Sequence, residues 1–68
     1  MDANLAKLRY WMSLDERKNT TVRLAQLLEY KTDNTIRMWF TRGHIPQREL
    51  KNVMEIIDGE INQSNQKR

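Results

Sequence analysis

Sixty-eight residues carry twelve Lys and Arg against nine Asp and Glu, a formal net charge of +3, with one His and no Cys. A chain of this length is expected to form one domain at most, burying only roughly 60% of its unfolded surface, and it has no cysteine for a disulfide or a thiolate metal site, which fits a reducing cytosol. Its apolar runs break off after a few residues, far short of the about 20 that a membrane span needs, so neither a spanning helix nor a signal peptide is expected.

One Pro, two Gly and the lack of any run alternating with a period of two point to an all-α chain. A first helix is predicted over about residues 3 to 15. Its stripe is Leu5, Leu8 and Met12, with Ala6 and Trp11 flanking it and Asp2 or Asn4 as the cap. The segment Asp15-Glu16-Arg17-Lys18-Asn19 is wholly polar and reads as a connector or a frayed last turn. Thr20 or Thr21 caps a second helix at about 21 to 29, which buries Leu24, Ala25 and Leu28 and leaves Val22 and Leu27 at the margins.

Tyr30-Lys31-Thr32 reads as the turn, after which Asp33 or Thr32 caps a third helix over about residues 33 to 42, with Ile36, Trp39 and Phe40 facing the core. Gly43 stops that helix, since glycine takes the left-handed conformation at little cost. Pro46 opens a fourth, where its missing N–H does no harm. Leu50, Val53, Met54 and Ile57 form the stripe of this last helix, and Gly59 is expected to end or loosen it. The organisation expected is therefore a compact domain of four to five helices over residues 1–61 and a disordered polar tail over 62–68.

Catalysis is not expected. His44 is the only histidine, so neither a His-paired nucleophile nor a Cys/His metal site can be assembled. The pairs Asp15-Glu16 and Asp58-Glu60 sit in polar surroundings suited to solvated acids, and two isolated glycines make no phosphate loop. Charge is more informative. Between Lys31 and Lys51 stand five basic residues (Lys31, Arg37, Arg42, Arg48, Lys51) and two acidic ones (Asp33, Glu49), a local excess able to attract phosphates. With Ile36 and Trp39 turned inward, Asn34, Thr35, Arg37, Met38 and Thr41 are left outward or at the margin of the third helix. Such a face fits the major groove of B-DNA.

The pattern Leu24-Ala25-x-x-Leu28…Thr35-Ile36-x-x-Trp39-Phe40-x-x-Gly43-x-x-Pro46 resembles the helix-turn-helix domains of the lambda-repressor-like superfamily, and most of all phage Cro-type repressors. The resemblance spans about residues 3 to 57, and its specific part is 24 to 46. It implies a small repressor, in the cytoplasm of a bacterial host and associated with the nucleoid, that binds double-stranded operator DNA as a homodimer and needs no cofactor, metal, membrane or small-molecule ligand. Two features depart from the family. Glu29 stands where a glycine commonly follows the second helix, and the spacing from Ala25 to Ile36 is one residue longer than usual, placed here in the turn.

Carried over position by position, the base-reading places fall at Asp33 or Asn34, Thr35, Arg37 and Met38. Asn34 suits adenine, Arg37 guanine, and Met38 a thymine methyl. The phosphate-contacting places fall at Thr21 and Arg23, joined by the first-turn N–H groups of the second helix, and at Arg42, His44 and Arg48. Plainer roles stand beside these: Asp33 as a helix cap, Met38 as peripheral core, Trp39 and Phe40 as packing, His44 as a solvated loop residue. Ile56 and Ile61 lie off the main stripe, and they either form a partner surface or fold back on Tyr10 or Trp11. Two other functions fit the same scaffold: an excisionase-like or architectural DNA-bending factor, and a protein-interaction module such as an antirepressor or antitoxin.

Overall fold

A computed structural model describes residues 2–66 of the chain, with side chains as far as Gln63. Four helices and no strand are found among the described residues, folded into a compact globule with principal extents of 35 × 24 × 19 Å.

The first helix, α1 (Ala3–Leu14), is started by Asp2, whose carboxylate accepts the N–H groups of Asn4 at 2.8 Å and Leu5 at 3.4 Å. Its buried stripe is Leu5, Leu8 and Trp11, whereas Met12 is only partly buried and Ala6 is exposed. Contrary to the stripe expected from spacing, the large indole of Trp11, one position earlier than Met12, takes the central place.

The polar segment 15–19 is a connector of turns and bends, as expected, with one residue drawn inward. Asn19 is buried, and its side-chain amide donates to the Trp11 carbonyl at 2.8 Å. The last carbonyls of a helix have no partner within it, and Asn19 supplies one for α1 from eight residues downstream. Asp15 folds the intervening residues back, its carbonyl accepting from the N–H groups of Lys18 and Asn19 at 3.1 and 2.8 Å.

Helix α2 (Thr21–Leu27) is capped by Thr20, whose hydroxyl oxygen accepts the Arg23 N–H at 3.1 Å. Leu24, Ala25 and Leu28 are buried. The helix ends two residues before the expected boundary because Glu29 turns left-handed, with φ at 64°. The chain wraps back there, the Glu29 N–H bonding the Gln26 carbonyl and the Tyr30 N–H the Ala25 carbonyl. This arrangement ordinarily takes glycine. The connection to the next helix thus runs from Leu28 to Asp33, longer than the three residues expected.

Helix α3 (Asn34–Arg42) packs on α2 and buries Ile36 and Trp39, with Phe40 partly exposed beneath the Arg9 guanidinium. It stops at Gly43, at φ 87°, where the N–H groups of Gly43 and His44 both reach the Trp39 carbonyl. Ile45 is buried, and Pro46 leads directly into α4 (Gln47–Gln66), which packs on α1 and buries Val53 and Ile57.

Gly59 does not end α4. The helix continues through it, and segment 62–66, read from composition as part of a polar tail, prolongs it; Lys67 and Arg68 lie outside the described residues. Lys7 of α1 pairs with Asp58, and Arg23 of α2 reaches Glu60 at 3.4 Å, so this part of α4 is held on both sides. Ile56 and Ile61 are partly buried and pack against the core. No helix among the described residues is long and apolar enough to cross a membrane.

Three backbone positions are open to test by thermal melting. Gly59→Ala meets open space and should stabilise the chain by about 0.5–1 kcal/mol, the cost of a mid-helix glycine. Glu29→Gly should gain a similar amount of about 0.5–1 kcal/mol by relieving a left-handed non-glycine residue, whereas Gly43→Ala should lose about 1 kcal/mol or more for the converse reason. In urea, Asn19→Ala should cost roughly 1–3 kcal/mol by orphaning a buried carbonyl; an unchanged midpoint would show that Asn19 does not hold the end of α1.

Candidate functional site

Burial of Ile36 and Trp39 dictates what α3 displays. Asn34, Thr35, Arg37, Met38 and Thr41 are all exposed, as are Arg42 and His44 at its end. Met38 is 46% exposed, one of the few large apolar side chains left in water. It is therefore surface, not peripheral core.

Behind this face the helix is braced. The Tyr30 ring meets Trp39 edge-on, with centroids 6.2 Å apart and planes at 81°. The Tyr30 hydroxyl donates to the Glu49 carboxylate at 2.7 Å, tying the loop before α3 to the first turn of α4. Burial, the hydrogen bond to Glu49 and the Glu49 charge all oppose the phenolate, and the Tyr30 pKa is pushed up to about 12.

In front, the N-terminal end of α3 is organised by Asp33. One of its carboxylate oxygens, Oδ2, accepts both the Thr21 hydroxyl at 2.6 Å and the Arg37 Nε–H at 2.9 Å. Asp33 occupies the cap position, but its side chain makes no capping hydrogen bond; the Thr32 hydroxyl oxygen instead lies 3.4 Å from the Asn34 nitrogen. The Thr21 hydroxyl, and then the Arg37 guanidinium, hold the Asp33 carboxyl below the usual carboxylate range. A hydroxyl has one proton to donate. Given to Asp33, that of Thr21 is not offered to a phosphate in this geometry.

The cations fall into two groups. Thr35, Met38, Arg42 and Arg48 line one shallow depression where α3 meets the start of α4, together with Trp39, Pro46 and the acidic Glu49. Arg48 is almost fully exposed and only loosely paired with Glu49 at 3.7 Å. Arg23 belongs elsewhere, its guanidinium turned to Glu60 of α4. Of the five cations between Lys31 and Lys51, then, Arg37 is paired with Asp33, while Arg42 and Arg48 line the depression beside the exposed face, together with Glu49.

Spacing alone offers Asp33 and Arg37 as an i, i+4 pair. The part played by Thr21, twelve residues earlier on another helix, and the Tyr30–Glu49 bond carry no local signal in the sequence.

The Asp33 linkage sets a pH dependence with a definite sign. A carboxyl whose folded pKa is depressed adds stability that is complete above the ordinary aspartate value of about 3.9 and is lost as pH falls through the lower folded value. Carboxyl NMR titration should place Asp33 below the free-aspartate value, and either Thr21→Val or Arg37→Ala should move it upward; no movement in either variant would remove the linkage. No family model, curated relative or solved structure matches this chain.

Proposed function

We propose that the chain is a sequence-specific, double-stranded DNA-binding transcriptional repressor of the lambda-repressor-like helix-turn-helix type, Cro-like in its economy, with α2 and α3 as the helix pair and α3 as the helix that enters the major groove. The observation that carries this reading is the outward face of α3: Asn34, Thr35, Arg37 and Met38 exposed together on a helix whose opposite side is fixed in the core. An α-helix with its side chains is about 10–12 Å across, and the major groove is about 12 Å wide. Asparagine and arginine are the side chains that pair bidentately with adenine and guanine.

Arg42, His44 and Arg48 lie beyond the C-terminal part of the same face, where they serve the phosphate backbone. Backbone contacts set position and base contacts set sequence. The Leu28–Asp33 connection is longer than the three to four residues usual in the motif, and Glu29 takes the left-handed place that a glycine fills in the family's pattern. Function by occupancy of a promoter, in a bacterial cytoplasm and without catalysis or cofactor, completes the reading.

A nine-residue α3 reads only part of one groove. A homodimer on a two-fold site supplies the second reading helix, with half-sites about 34–36 Å apart. Ile56 and Ile61 are partly buried against the core, and DNA itself is assigned the main part in bringing two copies together.

Selection of bound duplexes from a random pool, followed by footprinting, tests the whole reading. One palindromic site is expected, with affinity falling steeply between low and moderate salt. Arg37→Ala should reduce preference for the selected duplex over a scrambled one by roughly five- to 150-fold, equivalent to about 1–3 kcal/mol for one bidentate contact. Arg42→Ala should instead weaken both duplexes alike and reduce the salt slope by about one. Phased multiple sites with bending would favour an architectural factor, and absence of any salt-dependent DNA affinity would favour a protein-interaction module.

A further inference from the structure

We infer that Asp33 and Thr21 act as a positioning chain for Arg37, setting the direction of its guanidinium and thereby the base that α3 selects; the inference rests on the DNA-binding reading above. Three features of the geometry carry it. Both hydrogen bonds end on the same oxygen, Asp33 Oδ2, with Thr21 Oγ1 at 2.6 Å and Arg37 Nε at 2.9 Å. The side chains differ sharply in exposure, 14% for Asp33 and 67% for Arg37, so a sheltered carboxylate holds a solvent-facing cation. The grip is on Nε, and both terminal nitrogens of Arg37 are without a protein partner among the described residues.

The last point decides between two roles. Guanidinium has five N–H donors in a rigid fork. A carboxylate competing for the fork's terminal nitrogens would have to be displaced before a base could bind. One that holds Nε alone leaves both terminal groups for the O6 and N7 acceptors of a guanine. Holding the arginine in advance also removes part of the ordering cost of binding.

Asp33 touches no base in this scheme, and Thr21 touches no phosphate; both are positioning residues. Because Thr21 begins α2 and Asp33 precedes α3, the aim of Arg37 is set by how those two helix starts are held together, not by the rotamers of α3 alone.

The test uses the full chain and the duplex that it selects from a random pool. Arg37→Ala first identifies the guanine at which discrimination is lost, and the readout is the affinity ratio between that duplex and a copy with adenine at that position. Thr21→Val and Asp33→Ala should each lower the ratio by at least about threefold, a fraction of the five- to 150-fold of the whole contact. Thr21→Ser, which keeps the hydroxyl, should preserve it. Discrimination at the other positions of the selected duplex should be unchanged in Thr21→Val, an outcome that a general loosening of α3 by loss of a merely structural Thr21 would not produce. Affinity for a scrambled duplex should hold or rise in Asp33→Ala, since a negative charge is removed.

A wild-type ratio in both single variants would overturn the inference while leaving the DNA reading intact. So would a raised ratio in Asp33→Ala, which would make Asp33 a restraint on Arg37. A chain that enriches no duplex at all would overturn the DNA reading and this inference with it.

Discussion

Burial of Trp39 is the constraint on which the rest of the molecule is arranged. Its indole is 2% exposed, and burying a side chain of that size contributes more than any other single contact α3 makes. The same residue's carbonyl receives the N–H groups of Gly43 and His44 and so closes the helix. Tyr30 leans on the ring edge and carries the restraint on to Glu49 of α4. With Trp39 and Ile36 fixed inward, the rotation of α3 about its own axis is no longer free. Asn34, Thr35, Arg37 and Met38 face solvent as a geometric consequence.

Small size explains how polar residues come to do structural work here. A chain that buries only roughly 60% of its unfolded surface cannot rely on apolar area alone. Asn19 ties off the end of α1, and Tyr30 with Glu49 fastens the loop before α3. Lys7–Asp58 and Arg23–Glu60 span neighbouring helices, but as partly exposed ion pairs they contribute only modestly.

What was legible in the sequence was whatever repeats within one helix. Leu24 with Ala25 and Leu28, and Ile36 with Trp39, declare their buried faces by spacing, and the polar face of α3 follows by subtraction. Trp11 against Met12 was not decided by spacing, since both positions fit a stripe and only packing into the shared core selects the indole. Contacts between elements left no periodic trace: Asn19 is one polar residue among five in its segment, and Thr21 meets Asp33 across a loop. Gly59 misled because a glycine weakens a helix without forbidding it. Flanking contacts from Lys7 and Arg23 hold the helix on either side of it. Glu29 is the reverse case, a residue with no preference for the left-handed region that adopts it because the chain must turn there.

On the proposed reading, Asp33 also settles an electrostatic difficulty. A bare carboxylate at the start of a groove-reading helix would repel the phosphates on either side. Paired with Arg37 and bonded by Thr21, it presents no net charge there, and what α3 then offers at its N-terminal end is directional: two terminal nitrogens of one arginine, the amide of Asn34 and the hydroxyl of Thr35. The less directional attraction comes from Arg42 and Arg48, which line one depression with Thr35 and Met38. Long-range attraction and base discrimination are thus assigned to different side chains of one surface. That division matters in so small a domain, because cations that bind every phosphate backbone alike raise affinity without raising selectivity. Selectivity must come from the few groups whose direction is fixed, and Arg37 is the cation whose direction this fold fixes from behind.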